Sequence, residues 1–256
     1  MRIGFAAFAN LHHLNSFVDL YYECMNILGV RIDNLSRKEI LEKIESFLDE
    51  AKFHQVCTVN AEFILEAQEN EEFKQILNSS VLNVADAMSI KFAFWKYGRN
   101  LKARIAGADL MHEILKMANK RKFSVFLAAN KGGLSTWEET AEVLRRIYPS
   151  VTFNGANIDI SKPYNPEPRT CNLIFCSFGT PQQELFINSV KNDTIRLAMG
   201  IGGAFDFVTG KVKRAPKIWR KLGMEWLWRF LQEPRYRAKR IFRAVIIFPI
   251  KILLKK

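Results

Sequence analysis

Short, almost continuous apolar runs alternate along the chain with longer stretches in which apolar residues recur every three or four positions. The runs are typical of strands buried on both faces, and the periodic stretches are typical of amphipathic helices. The predicted strands cover residues 55–60, 81–85, 123–128, 150–153, 172–177 and 195–199. The alternation predicts an α/β fold with a doubly wound, mostly parallel sheet and helices on both of its faces.

Polar residues between the strands mark where the predicted helices begin. Ser36 and Glu39 have the spacing of a capping box ahead of an apolar stripe. A single helix is predicted from Ala61 to Gln75. The other predicted helices cover residues 90–97, 109–119, 135–147 and 182–190.

The alternating pattern stops near both ends of the chain. Residues 1–24 are predicted to be an N-terminal extension, and residues 25–210 the α/β domain that carries the chemistry. Residues 211–256 are predicted to be a basic, amphipathic helical appendage in which tryptophans interleave with lysines and arginines. No apolar run reaches the roughly 18 residues that span a bilayer, and no signal-peptide cleavage site is evident.

The charge of the chain is concentrated in this appendage. The 256 residues are 48% hydrophobic, which is sufficient for a sizeable core, and the net charge is +12. After residue 210 the only acidic residues are Glu225 and Glu233. An anionic membrane surface is the partner that best suits this composition. A solvated helical hairpin and a nucleic-acid-binding tail are the alternatives, and because no nucleic-acid-binding module accompanies the tail we predict no nucleic acid partner.

The distribution of cysteine, histidine and acidic residues gives no sign of a metal site. Cys24, Cys57, Cys171 and Cys176 form no C-x-x-C pair, and the four histidines are scattered. Paired metal-binding carboxylates of the Asp-x-Asp kind are also lacking. We therefore predict neither a metal nor a cofactor, and cysteines that remain thiols in a reducing cytoplasm.

One carboxylate, Asp86, directly follows a predicted strand, and Thr58 and Asn60 end another. Doubly wound sheets bind ligands beyond the carboxyl ends of their strands, and a general base needs a carboxylate beside the reacting hydroxyl. The alternative is that Asp86 caps the next helix. Arg104 is either a surface charge or a clamp for a diphosphate, which the fork of its guanidinium suits.

Three glycine-containing loops follow strands at the same predicted edge. They supply Asn130 and Gly132 in "ANKGG", Gly179 and Gln183 in "FGTPQQ", and Gly202 in "GIGG". Backbone N–H groups at such helix starts bind phosphate, although each loop alone is equally consistent with a tight turn. Together the three loops predict a nucleotide or sugar-phosphate ligand.

The segments "TVNAEF", "LNVADAMSI", "RIAGADL", "FGTPQQE" and the block from Gly200 to Arg235 resemble the WecG/TagA/CpsF family of bacterial glycosyltransferases. The resemblance implies inverting, metal-independent transfer of N-acetylmannosamine, or a related residue such as its uronic acid, from a UDP-sugar donor. The implied acceptor is a lipid-linked N-acetylglucosamine on polyprenyl diphosphate. It also implies a peripheral enzyme at the cytoplasmic face of the bacterial cell membrane, in teichoic acid, capsule or exopolysaccharide biosynthesis.

The resemblance assigns roles to particular residues. It implies that Asp86 is the catalytic base, that Thr58 and Asn60 line the pocket, and that Arg104 and Gln183 contribute to it. It further implies that the appendage meets the membrane and closes over the pocket, and that monomers exchange with a homo-oligomer. The family usually has Asp-Gly-x-Gly where this chain has Asp86-Ala87-Met88-Ser89, so the loop is bulkier and the sugar is left open.

Two further hypotheses concern the leaving group and the activity itself. We hypothesise that an arginine of the appendage reaches the departing diphosphate. The candidates are Arg229, Arg235, Arg237 and Arg240. The alternative to an enzyme is a membrane-anchored nucleotide-sugar-binding protein whose altered loop has removed transferase activity. The segment Gly202–Phe207 is a candidate contact between subunits of a homo-oligomer.

Overall fold

The computed structural model describes residues 24–162 and 171–255. Within these residues an antiparallel hairpin precedes a sheet of six strands, all of which pair in parallel. The strands are β1 (Cys24–Ile27), β2 (Val30–Asp33), β3 (His54–Val59), β4 (Leu82–Ala85), β5 (Ser124–Asn130), β6 (Thr152–Ile158), β7 (Leu173–Ser177) and β8 (Leu197–Gly200). The predicted extension lies outside the described residues except for Cys24, which begins β1.

The order of strands in the sheet is β4-β3-β8-β7-β5-β6. Because β4 lies on one side of β3 and all later strands lie on the other, the winding direction changes at β3. A crevice beyond the carboxyl ends of the strands opens at such a point. The prediction of a doubly wound α/β fold is confirmed.

Helices cover both faces of this sheet. They are α1 (Arg37–Asp49), α2 (Ala61–Glu66), α3 (Glu71–Ser79), α4 (Met88–Lys96), α5 (Gly107–Arg121), α6 (Trp137–Ile147), α7 (Gln182–Ser189) and α8 (Ala204–Val208). On β7, Leu173 and Phe175 belong to one core cluster, whereas Ile174 and Cys176 belong to another. Successive side chains of a strand point to opposite faces, so this division shows a core on each side of the sheet.

Local capping explains where two of the helices begin. The Ser36 hydroxyl accepts from the Glu39 amide at 3.3 Å, and the Glu39 carboxylate accepts from the Ser36 amide at 2.7 Å, which confirms the capping box. The single helix predicted from Ala61 to Gln75 is wrong. Asn70 accepts from the Phe73 amide at 3.0 Å and starts α3 there, because its short amide side chain competes with helix continuation.

We call residues 211–255 the arm. It contains α9 (Lys217–Lys221), α10 (Glu225–Gln232), α11 (Pro234–Phe242), a π-helical turn (Arg243–Ile247) and α12 (Phe248–Leu254). Phe248 and Ile252 are fully buried in the same core cluster as Phe94 of α4. Other apolar residues of this last stretch are exposed, namely Phe242, Val245, Ile246, Ile250, Leu253 and Leu254. We call the described residues before the arm, 24–162 and 171–210, the body. The arm packs against the body through Phe248 and Ile252, and its separation as a domain of its own stays a prediction.

Candidate active site

A cavity of about 610 Å³ lies beyond the carboxyl ends of the strands. The loops after β3, β4, β5, β7 and β8 form part of its wall, and the arm forms the rest. Of the thirteen residues predicted from the sequence, twelve line this one cavity. They are Thr58, Asn60, Asp86, Arg104, Asn130, Gly132, Gly179, Gln183, Gly202, Arg229, Arg237 and Arg240. Arg235 is exposed to solvent and is not part of the wall.

Asp86 does not cap the helix that follows it. Helix α4 begins at Met88, and its N-cap position, Ala87, makes no side-chain capping bond. The Asp86 carboxylate accepts hydrogen bonds from the Asn60 side chain and the Gly107 amide. Burial raises the pKa of Asp86 to about 6 even though the positive charge of Arg104 opposes the shift. The acid is therefore ionised at neutral pH but close to the range in which a carboxylate is an effective base.

Two polar residues at the end of β3, Asn60 and Thr58, line the cavity together with Asp86. The Asn60 side-chain oxygen caps α2 by accepting from the amides of Glu62 at 2.9 Å and Phe63 at 3.3 Å. Since its oxygen is occupied in this way, the Asn60 NH₂ group is the part that donates to Asp86. Thr58 is buried against Gly107, where an added Cβ would lie 3.0 Å from the Thr58 hydroxyl.

Arg104 connects the loop of the acid to the arm. Its Nη1 donates to the Asp86 carbonyl at 3.2 Å, and its Nη2 donates to the Arg220 carbonyl at 2.7 Å. The same guanidinium lowers the pKa of Asp86 against the larger effect of burial. Arg104 is thus a contact between the two walls of the cavity as well as a positive charge beside Asp86.

Gln183 holds two of the glycine loops together. Its side-chain oxygen accepts from the amides of Gly179 at 3.3 Å and Gly202 at 3.0 Å, and both glycines have positive φ, 83° and 52°. These two amides are therefore engaged within the protein, and the loops are tight turns of the kind that glycine favours. In the third loop, the Asn130 side chain accepts from the Gly132 amide at 3.0 Å.

Glu184 is a buried acid that the sequence did not single out. Its Oε1 accepts from the Gln183 side-chain nitrogen at 2.6 Å, and its Oε2 has no hydrogen-bond partner among the described residues. Burial raises the pKa of Glu184 to about 8, so the group is protonated at neutral pH. A Cβ at Gly200 would come within 2.5 Å of Glu184 Oε1, which explains why glycine is required beside the pair.

The arm brings guanidinium groups to the cavity. Arg229 lies over the Phe207 ring, 4.9 Å from its centroid, and a Cβ at Gly203 would be 3.0 Å from Arg229 Nη2. Burial, with the charges of Arg237 and Arg240, lowers the pKa of Arg229 to about 10. Arg237 pairs with Glu233 at 2.7 Å, and Arg240 pairs with Glu62 of α2. Arg229 Nε has no hydrogen-bond partner within residues 24–162 and 171–255.

Two aromatic residues test the idea of a subunit contact at Gly202–Phe207. Phe205 is buried in this chain's own core, and Phe207 packs against that core while its ring contacts the guanidinium groups of Arg214 and Arg229. These rings are therefore used within one chain, and association into a homo-oligomer stays a prediction.

Among the described residues no cluster of three or more His, Cys, Asp or Glu side chains could hold a metal, and no helix has the length and apolarity to cross a membrane. The model of the family described as "Glycosyl transferase WecG/TagA/CpsF family" matches residues 25–256. This match covers nearly the whole chain and confirms the resemblance drawn from the sequence. The chain therefore belongs to the WecG/TagA/CpsF family of glycosyltransferases.

Proposed function

We propose that the protein is an inverting, metal-independent glycosyltransferase that uses a UDP-sugar. It moves N-acetylmannosamine, or a related residue such as its uronic acid, to a polyprenyl-diphosphate-linked N-acetylglucosamine for a cell-surface polysaccharide. The observation that carries this proposal is Asp86. It is a carboxylate with a pKa of about 6 on the wall of a cavity that is also lined by arginines.

A single displacement with inversion needs one base and a stabilised leaving group. In the proposed step, ionised Asp86 takes the proton of the acceptor hydroxyl while that oxygen bonds to C1 of the donor sugar. The bond between C1 and the diphosphate oxygen breaks on the opposite face, and UDP departs with the electron pair. Arg229, Arg237 and Arg240 line the cavity and supply positive charge for the departing diphosphate.

The proposed acceptor is lipid-linked, so the enzyme has to work at a membrane. We propose that the arm lies on an anionic leaflet at the cytoplasmic face. Supporting this, the last helical stretch exposes Ile246 and Ile250 while burying Phe248 and Ile252 against the body. Its apolar side thus remains available, and basic residues such as Lys251 and Lys255 accompany it. Each such charge near an anionic surface is worth about 1 kcal/mol.

Acceptor-dependent UDP release tests the enzymatic proposal. The full chain is incubated with UDP-N-acetylmannosamine or its uronic acid, with and without polyprenyl-diphosphate-linked N-acetylglucosamine. We expect UDP release that requires the acceptor, and a loss of about 10³-fold or more in kcat for Asp86→Asn because the base is removed. Asp159→Asn, an acid outside the cavity wall, is the matched control and should be unchanged.

Three results would count against parts of this proposal. Donor binding without transfer would favour the nucleotide-sugar-binding alternative. Full activity of Asp86→Asn would reject the base while leaving the fold untouched. For the membrane part, Ile246→Glu with Ile250→Glu should reduce cosedimentation with vesicles containing anionic lipid, and equal binding by the wild type and this variant would reject the assigned face.

A further inference from the structure

The body and the arm also meet at an acid outside the cavity wall, Asp109. It lies in the first turn of α5, and its Oδ1 is 2.8 Å from Arg214 Nη1 and 3.6 Å from Arg220 Nη1. Asp109 does not line the cavity, whereas Arg214 does. One carboxylate of the body therefore holds two arginines of the arm, and only one of the two faces the cavity.

Arg214 has donors left over after this contact. Its Nη1 donates to Asp109, whereas its Nε, 3.6 Å from Glu225, and its Nη2 are buried without a hydrogen-bond partner among the described residues. Its guanidinium carbon lies 5.7 Å from the centroid of the Phe207 ring, which Arg229 also covers. Buried donors of a charged group are costly when unpaired, and Arg214 lines the cavity, so an anion bound there would offer this guanidinium a partner.

The segment from Arg214 to Arg220 is held by the first turn of α5 and by the loop that precedes this helix. Arg104 donates to the Arg220 carbonyl at 2.7 Å, and Asp109, five residues further along the chain, binds the side chains of Arg214 and Arg220. Gly107, between them, donates its amide to Asp86. Arg104, Gly107 and Asp109 are thus close together in the chain, and between them they contact both Asp86 and the arm.

We propose that Asp109 is a positioning residue, which holds Arg214 at the cavity so that its remaining donors meet the diphosphate of the nucleotide donor. The proposal rests on the proposed function, since it takes the anion to be the diphosphate of UDP or a UDP-sugar. Asp109 acts only through the arginines, because it does not touch the ligand space. A neutral isostere at Asp109 leaves Arg214 free to change rotamer and misplaces its charge.

A double-mutant cycle tests this coupling. Asp109→Asn, Arg214→Ala and the double variant are compared for kcat, KM and the affinity for UDP measured by calorimetry. We expect Asp109→Asn to lower kcat/KM by about 10- to 100-fold, as small misplacements of a charge do. The double variant should be no worse than Arg214→Ala alone, since the cavity-lining arginine that Asp109 positions is already absent. Asp109→Glu should restore part of the activity.

The control is Glu113→Gln on the same helix. Glu113 pairs with Arg37 at 2.8 Å, the same distance as the pair of Asp109 and Arg214, but it joins two parts of the body. The Glu113→Gln substitution should leave kcat/KM within twofold of the wild-type value. Thermal midpoints of all variants separate loss of folding from loss of function.

The outcomes separate this inference from the proposed function. An active wild type whose Asp109→Asn and Arg214→Ala effects simply add would overturn the inference alone. A wild type that binds UDP but does not transfer would refute the proposed reaction, and the same cycle on UDP affinity would still decide the inference. If the wild type did not bind UDP at all, both the proposed function and the inference about Asp109 would be refuted.

Discussion

All six residues of β3 are buried, whereas α10 of the arm, which lines the same cavity, contains no buried residue. On the body, Asp86 and Gln183 are held by hydrogen bonds to neighbouring residues. On the arm, Arg214 and Arg240 are held by ion pairs with the body. The body therefore holds Asp86 in place in advance, and the arm supplies positive charge through contacts that cost little to rearrange.

This contrast assigns different consequences to changes on the two walls. A change to a cavity-lining arginine of the arm should weaken the stabilisation of the leaving group and leave stability almost unaltered. A change on the body should disturb stability and turnover together, because buried groups left without partners destabilise the fold.

Among the changes that test this contrast, the largest effect is expected at Arg229, on the arm. Arg229→Ala should lower kcat by about 10²- to 10³-fold, the usual result of removing one donor that stabilises developing negative charge. Arg229→Lys keeps the charge but loses the planar group that lies over Phe207, so it should recover only part of the rate. Steady-state kinetics at saturating donor and acceptor measure both.

Lys239→Ala is the control for Arg229, since Lys239 is an exposed basic residue of the same arm and does not line the cavity. The thermal midpoint of Arg229→Ala should stay close to that of the wild type. If Arg229→Ala unfolded at a much lower temperature, the arm would be as rigidly built as the body and the contrast would be lost.

The next largest effect is expected at Glu184, on the body. Glu184→Ala leaves the buried Gln183 nitrogen without its partner and opens space beside Gly200, so it should cost about 2–4 kcal/mol of unfolding free energy. Glu184→Gln keeps an acceptor oxygen at the same place and should resemble the wild type at low pH. Chemical denaturation at a series of pH values measures both variants.

The raised pKa of Glu184 also gives the sign of a pH dependence. Its pKa is about 8 in the folded protein against an ordinary value of 4.5, so between these two pH values the folded state retains a proton that the unfolded state has lost. The unfolding free energy of the wild type should therefore fall from pH 4.5 to about 8 and level off above that. Relative to the wild type, Glu184→Gln should gain stability across this pH range. Parallel plots of unfolding free energy against pH for the two proteins would contradict the raised pKa of Glu184.

The body of the site was more predictable from the sequence than the arm. Asp86, Thr58 and Asn60 end buried strands, and in a parallel sheet the carboxyl ends of strands meet at one edge whatever the details of packing. Glu184 was missed because an acid in the first turn of a helix is ordinary, and only the tertiary structure shows that this one is buried.

On the arm, the basic composition was predictable from the sequence, but the direction in which each side chain points was not. Arg235 and Arg237 are two positions apart, yet the first is exposed and the second is nearly buried, because helical phase decides which side meets the body. The contact between Asp109 and Arg214 spans 105 residues, so no local pattern announces it. Long-range ion pairs are set by how the elements pack, which composition does not encode.

The smallest effect is expected at Glu225, where the arm acts on the base of the body. The negative charge of Glu225 adds to burial in raising the pKa of Asp86, so the wild-type rate should fall as the pH drops below about 6 and Asp86 takes up a proton. In Glu225→Gln this contribution is absent, and the acid limb of kcat/KM should move to lower pH. At pH 5.5 the variant should retain a share of its own plateau rate about two- to threefold larger than the wild type retains.

Normalising each enzyme to its own plateau matters because Glu225 also lies 3.6 Å from Arg214, and its loss changes the arm as well. A change in the plateau alone reports on that ion pair, whereas a displaced acid limb reports on Asp86. If the acid limb of kcat/KM for Glu225→Gln stayed near pH 6, as in the wild type, the body would set the pKa of Asp86 without the arm. The charge of the arm would then act on the leaving group only.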